Sequence, residues 1–189
     1  MRWLAVLVSA VIGAIIAGLL LYAFDHFGFY LIIVMPLLGG LLVGVMTYLP
    51  VIRQDAPTLP LAVIAVVAAL GALAIYWIGS YLDYQNTLVE TIQAEIPDTT
   101  REESLQLIDL FMEEEYGATG FRGFLADYAT AGISINRITG SSDIALTGPL
   151  AYGFWGLEAL VLLGMAVIIV IRRKQSALMK RLNPPADAV

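Results

Sequence analysis

Of 189 residues, 59% are hydrophobic and 14% charged, against roughly 45 to 50% and 25% in soluble domains, which argues against a water-soluble globular fold. Cysteine is absent, so disulfide frameworks, thiol chemistry and cysteine metal sites are excluded, and any outward-facing domain is held by packing alone. The net charge is −6, and its uneven distribution along the chain bears on threading.

Four uninterrupted apolar stretches, 3–24, 27–50, 59–82 and 150–171, each reach the ~20 residues that cross a ~30 Å hydrocarbon layer as a helix. Helices are expected because a spanning segment in lipid must make all its backbone hydrogen bonds internally. The first stretch follows Arg2 and invites comparison with a signal peptide cleaved at Ala23. Its apolar run exceeds the ~7 to 15 residues of a signal core, and Leu21 is too large for the position two before cleavage, so it reads as a span.

Small residues repeat every four in these stretches: Ser9, Gly13 and Ala17; Ala10, Ala14 and Gly18; Gly40 and Gly44; Ala65 and Ala69; Ala68 and Ala72. Such stripes let helix backbones approach closely where lipid supplies no hydrophobic drive, which assigns Gly13, Ala17, Gly40, Gly44, Ala68 and Ala72 to packing within a bundle or between copies. Pro36, in MPLLGGLLVG (35–44), removes a helical donor beside two glycines and is expected to kink the second span. His26 lies in the turn DHFG (25–28); it reads as a polar residue at headgroup level, with a proton-responsive group or a metal ligand beside Asp25 as the alternative.

Residues 83–149 do not fit in lipid. Twelve acids from Asp83 to Asp143 against three bases, Arg101, Arg122 and Arg137, give a net −9, a surface that repels nucleic acid and anionic headgroups. SYLDYQNTLVETIQAEIP (80–97) is expected to extend the third helix as far as Pro97. A second helix starts after Thr99 or Thr100, each with a glutamate at capping-box spacing (Glu102, Glu103), and stops at Gly117. Leu105, Ile108, Met112 and Tyr116 line one face of it, opposite Glu102, Gln106, Asp109 and Glu113. Thr119 can cap a short third helix that places Phe121, Leu125 and Tyr128 on one side and ends at Gly132. ISINRITGSSDIALTG (133–148) alternates Ile133/Ile135 and Ile144/Leu146 around a turn, the pattern of a β-hairpin. The expectation is a small α+β domain of two helices and a hairpin, of a size at which a private core barely suffices, resting on the membrane bundle.

The stretch GATGFRGFLADYATAGISINR (117–137), followed by a short Gly/Ser segment and a tryptophan-bearing span with Glu158, resembles a widespread group of bacterial four-span membrane proteins. That group carries an extracytoplasmic G-F-x-G-[FY]-L…G-I-S-I segment between spans three and four. The likeness covers the order of elements and is most specific over 117–137. It implies a fold and a threading and no activity. Some relatives carry a cysteine-rich tail after the last span; NPPADAV (183–189) has no cysteine, so no role of such a tail carries over. In order of elements the chain is also similar to animal tetraspanins, but the outer segment lacks a Cys-Cys-Gly motif, so that likeness is one of topology.

Arg2, Arg53 and the group Arg172, Arg173, Lys174, Lys180 and Arg181 fall in the segments that four alternating crossings place on one side. The positive-inside rule makes that side cytoplasmic, with both termini inside. The five tail cations suit anionic lipid headgroups, at about 1 kcal/mol per charge, or simply fix topology. Glu158 is the only ionisable residue in the four spans. Fourteen residues before Arg172, it stands about 21 Å up a ~30 Å core, past the midplane toward the outer face, where Tyr152 and Trp155 suit an aromatic belt. A carboxylate there needs a partner or a proton. Arg122 or Arg137 clamping the outer domain through Glu158 is one expectation; a hydrogen bond to a neighbouring helix or interfacial water is a second, and a substrate or proton site a third.

Motifs for chemistry are thin. GISIN (132–136) lacks the last glycine of a nucleophile elbow and lies in an expected strand. The consecutive glutamates of MEEEYG (112–117) point about 100° apart on a helix and cannot converge on one ion. Glycines 117, 120 and 123 follow no strand, so no phosphate-binding loop is read.

The reading is an all-α membrane protein: three spans in 1–82, an acidic extracytoplasmic α+β domain in 83–149, a fourth span in 150–171 and a basic cytoplasmic tail in 172–189. It is expected in the cell (inner) membrane, acting as an interaction or structural component without catalysis, cofactor or metal. Expected partners are the bilayer, anionic lipid at the tail and a membrane protein or second copy, not nucleic acid. A small transporter or channel subunit is the alternative reading and a membrane-embedded enzyme the second.

Overall fold

The computed structural model describes residues 3–27, 33–52, 54, 56–134 and 145–182. Six helices dominate it: α1 (Trp3–His26), α2 (Val34–Tyr48), α3 (Thr58–Glu95), α4 (Arg101–Tyr116), α5 (Gly120–Ala131) and α6 (Pro149–Leu182). A 3₁₀ turn, Leu49–Val51, ends α2, and two short strands, β1 (Ile133–Ser134) and β2 (Ala145–Leu146), lie between α5 and α6. Four helical segments are long and apolar enough to cross a membrane: Trp3–His26, Val34–Val51, Thr58–Glu95 and Pro149–Arg173. This suggests a membrane protein. The chain divides into two compact units, one of Met1–Trp77 with Glu158–Val189, the other Ile78–Leu157.

The first unit is a helix bundle whose seams are made by small residues. Ala10, Ala14, Ala17, Ala65, Ala68, Ala69, Ala72 and Ala166 are all buried, as are Gly13, Gly18, Gly40 and Gly44. A Cβ added at Gly18 would meet the Ala72 carbonyl oxygen at 2.6 Å, and one at Gly13 would meet Met46 Cβ at 2.7 Å. At Gly44 it would lie 2.7 Å from the Ala166 carbonyl oxygen, and at Gly40 it would strike that of Leu162. Backbones are therefore in contact along α1–α2, α1–α3 and α2–α6, the geometry that small-residue stripes permit. Ser9 donates to the Met46 carbonyl at 2.6 Å, and Thr47 back-bonds to Val43 at 2.8 Å, so both hydroxyls are satisfied without water.

The second span corrects the expectation for Pro36. α2 begins at Val34, after Ile33 at φ 67°, which puts Pro36 in the first turn, where the amide has no intrahelical acceptor in any case. The first helical bond runs from Leu37 N to Ile33 O at 3.0 Å. Pro36 loses nothing there and starts the helix rather than kinking it.

In the second unit α3 continues unbroken to Glu95, as the proline at 97 requires. Of the two capping boxes considered, the chain uses Thr100 and Glu103: Thr100 accepts from the Glu103 amide while the Glu103 carboxylate accepts from the Thr100 amide. Gly117 closes α4 in the left-handed region at φ 63°. The α+β domain is not supported. Ile133 pairs with Leu146 and Ser134 with Ala145 in antiparallel register, and two residues a side are too short a pair to stand as a layer; residues 135–144, where the rest of the hairpin was expected, lie outside the described residues. This unit is helical.

Candidate functional site

The second unit is organised around one carboxylate. Tyr84 on α3 donates to Asp127 Oδ2 at 2.6 Å, and Tyr116, at the end of α4, donates to Asp127 Oδ1 at 2.6 Å. Asp127 itself is on α5, so three helices meet at its two oxygens. The bond to Asp127, with lesser contributions from burial and from the charges of Asp127 and Glu115, pushes the Tyr116 hydroxyl up to about 12. Tyr116 therefore remains a neutral donor at physiological pH.

Around this hub lies an aromatic cluster. Phe124 is fully buried, with ring centres 5.1 Å from Tyr84, 5.6 Å from Tyr81 and 5.5 Å from Tyr128. Tyr128 stacks on Trp155 at 5.9 Å, and Trp155 meets Tyr152 edge to face at 5.2 Å. The expected α5 face of Phe121, Leu125 and Tyr128 is thus rotated: Phe124 is the core residue, and Phe121 is 40% exposed. Gly123 is the cause, since a Cβ there would fall 2.6 Å from both Met112 Sδ and the Ala118 carbonyl oxygen, and this close approach turns the neighbouring Phe124 inward. Thr119 stands at the N-cap of α5 without a side-chain cap bond. The free amide of Gly120 is instead taken by Asp109 Oδ1 at 3.2 Å, from α4, an anion placed where a helix N-terminus favours one.

α4 presents two apolar faces. The inner one, Ile108 and Met112 with part of Leu105, packs on Val89, Leu88, Ile92 and Tyr84 of α3. The outer one was not read from the sequence. Leu107, Leu110 and Phe111 are 43%, 67% and 54% exposed, at i, i+3 and i+4, which makes them neighbours on the helix surface. Glu103, Glu113, Glu114 and Glu115 are exposed on the same helix. The spacing was visible as a second period on α4; which period the core takes is a tertiary fact.

Glu158 is 8% exposed, on α6. Arg122 is exposed on α5, and Arg137 lies outside the described residues. His26 is exposed and has ring contacts with Tyr22 at 5.8 Å and Phe27 at 5.4 Å, and the neighbouring Asp25 accepts from Tyr76 at 3.1 Å. At the other end of the bundle Arg172 and Arg173 are exposed on α6, whose helix runs on to Leu182 and so carries Lys174, Lys180 and Arg181 as well. Among the described residues no three His, Asp or Glu side chains are grouped to hold a metal ion. No family model, curated protein or solved structure matches the chain.

Proposed function

We propose that this protein is a multi-pass component of the cell (inner) membrane, both termini cytoplasmic, that works by binding another protein through its acidic outer unit. The observation that carries this reading is the stripe Leu107, Leu110 and Phe111, exposed on a helix that is otherwise acidic on its outer side. Contiguous apolar side chains on a water-facing surface mark association sites far more often than isolated ones do. The surrounding carboxylates select a partner with basic residues around an apolar centre and oppose nucleic acid. The resemblance carried by residues 117–137 is consistent with this threading and brings no activity with it.

The test is co-purification in mild detergent with mass spectrometry, comparing the native chain with Leu110→Ser/Phe111→Ser. A stoichiometric partner present with the native chain and absent with the variant, at unchanged helical content, supports the reading. A partner retained by the variant, or none at all, removes it. A transporter is the second reading, favoured by Glu158, because an ionisable group buried in a span commonly marks an ion or substrate path. Flux through liposomes that Glu158→Gln abolishes would establish that role instead.

A further inference from the structure

The α2–α6 seam ends in a cleft, at the end of the bundle opposite the start of α2. Gly40 and Gly44 bring α2 against the Leu162 and Ala166 carbonyls. One turn further on, where Leu49–Val51 tightens into a 3₁₀ turn, a cleft of about 110 Å³ opens between the two helices. Val45, Leu49 and Ile52 give it apolar walls, and Tyr48 and Arg173 complete the lining. Tyr48, itself buried, lies with its hydroxyl 3.4 Å from the Arg173 carbonyl oxygen, which ties the two walls together. Leu49 and Ile52 are half-exposed at 52% and 48%, so the cleft is open at the side.

We infer that this cleft binds one anionic phospholipid, its glycerol and upper acyl chain against Val45, Leu49 and Ile52 and its phosphate on Arg173. Charge complementarity selects this occupant. Arg173 stands at the end of the apolar span Pro149–Arg173, the level at which headgroup phosphates lie. A guanidinium binds phosphate through two parallel hydrogen bonds where a lysine offers a point charge. Arg172 beside it is exposed as well. Basic pockets between spans are the usual form of lipid headgroup sites, in contrast to the diffuse attraction of a flexible polybasic tail. The site does not depend on the role proposed for the outer unit.

The full chain, reconstituted in nanodiscs of equal phosphatidylglycerol and phosphatidylcholine and released for native mass spectrometry, should retain one phosphatidylglycerol. Arg173→Gln should lower the retained fraction about fivefold, the weight of one juxtamembrane cation, and Arg173→Lys should restore part of it. Val45→Trp, which keeps every charge and fills the cleft, should lower retention to a similar degree. Arg172→Gln, next in sequence but outside the cleft lining, should change it less than about twofold. Equal retention of the two lipids, equal losses from Arg172→Gln and Arg173→Gln, or no loss from Val45→Trp would each overturn the site in favour of a diffuse basic surface.

Discussion

Removing the carboxylate of Asp127 should loosen the second unit more than any other single polar change in it. Two hydroxyls, from Tyr84 and Tyr116, reach its oxygens at 2.6 Å, and a hydrogen bond to a charged acceptor contributes about 1.5 to 3 kcal/mol. The group is half-buried, so the lower end applies, and Asp127→Ala should cost about 3 kcal/mol in all. At about 1.4 kcal/mol per factor of ten, amides of α4 and α5 that exchange by opening of this unit should lose about 100-fold protection in hydrogen–deuterium exchange of the full chain. Asp127→Asn keeps one acceptor and should lose about half as much in free energy. Tyr84→Phe and Tyr116→Phe should each cost about 1.5 kcal/mol in the native background and nearly nothing in Asp127→Ala, because the shared partner is already gone. Tyrosine losses that stay the same with and without Asp127 would show that the three helices are held by the aromatic packing and that the hub is incidental.

Gly44→Leu should destabilise the bundle by at least about 1 to 3 kcal/mol, seen as a lower unfolding temperature in detergent, because its Cβ would lie 2.7 Å from the Ala166 carbonyl. Gly153→Ala, with open space at its Cβ, should leave that temperature unchanged or raise it. Glu103 accepts from the amide and the hydroxyl of Thr100, which holds its carboxyl below the ordinary value. The resulting support for the first turn of α4 is complete above the unfolded-state pKa, about 4.3, and lost as pH falls through the lower folded value. Exchange protection of the first amides of α4, corrected for intrinsic rates, should drop over that window and become flat in Glu103→Gln. Cysteines introduced at Ser142 and Ser176 should react with an impermeant reagent from opposite sides of the membrane; labelling of both from outside would reverse the proposed threading.

The spans were legible because apolar length is itself the physical requirement for crossing a bilayer, and the stop at Gly117 and the cap at Thr100 were legible because capping is local chemistry. The start of α2 was not, since residues 29–33, after the DHFG turn, are as apolar as the helix that follows and nothing in them marks a boundary; placing Pro36 mid-helix followed from that. Gly123 is an ordinary helical glycine until Met112 is beside it, so the inward turn of Phe124 was invisible to periodicity. The same holds for α4, where Leu105, Ile108 and Met112 compete with Leu107, Leu110 and Phe111, each set on one helical face, and packing on α3 decides which set is covered. The two-residue strand pair shows the converse case, an alternating pattern that local sequence favours and the described fold uses only in part.

The contact between α2 and α6 has a consequence for biosynthesis. Gly44 meets Ala166, roughly 120 residues further along the chain, and at about 5 to 20 residues per second the ribosome needs roughly 6 to 24 s to make that stretch. During that interval α1 and α2 can already pair through Gly13 and Met46, while the glycine face of α2 has only lipid to meet. The nascent chain therefore passes through a three-helix stage with an unfilled groove where α6 will sit. Membrane insertases and quality-control proteases would meet the protein in that state, and a substitution in α6 such as one at Leu162 or Ala166 would prolong it without touching the helices already inserted.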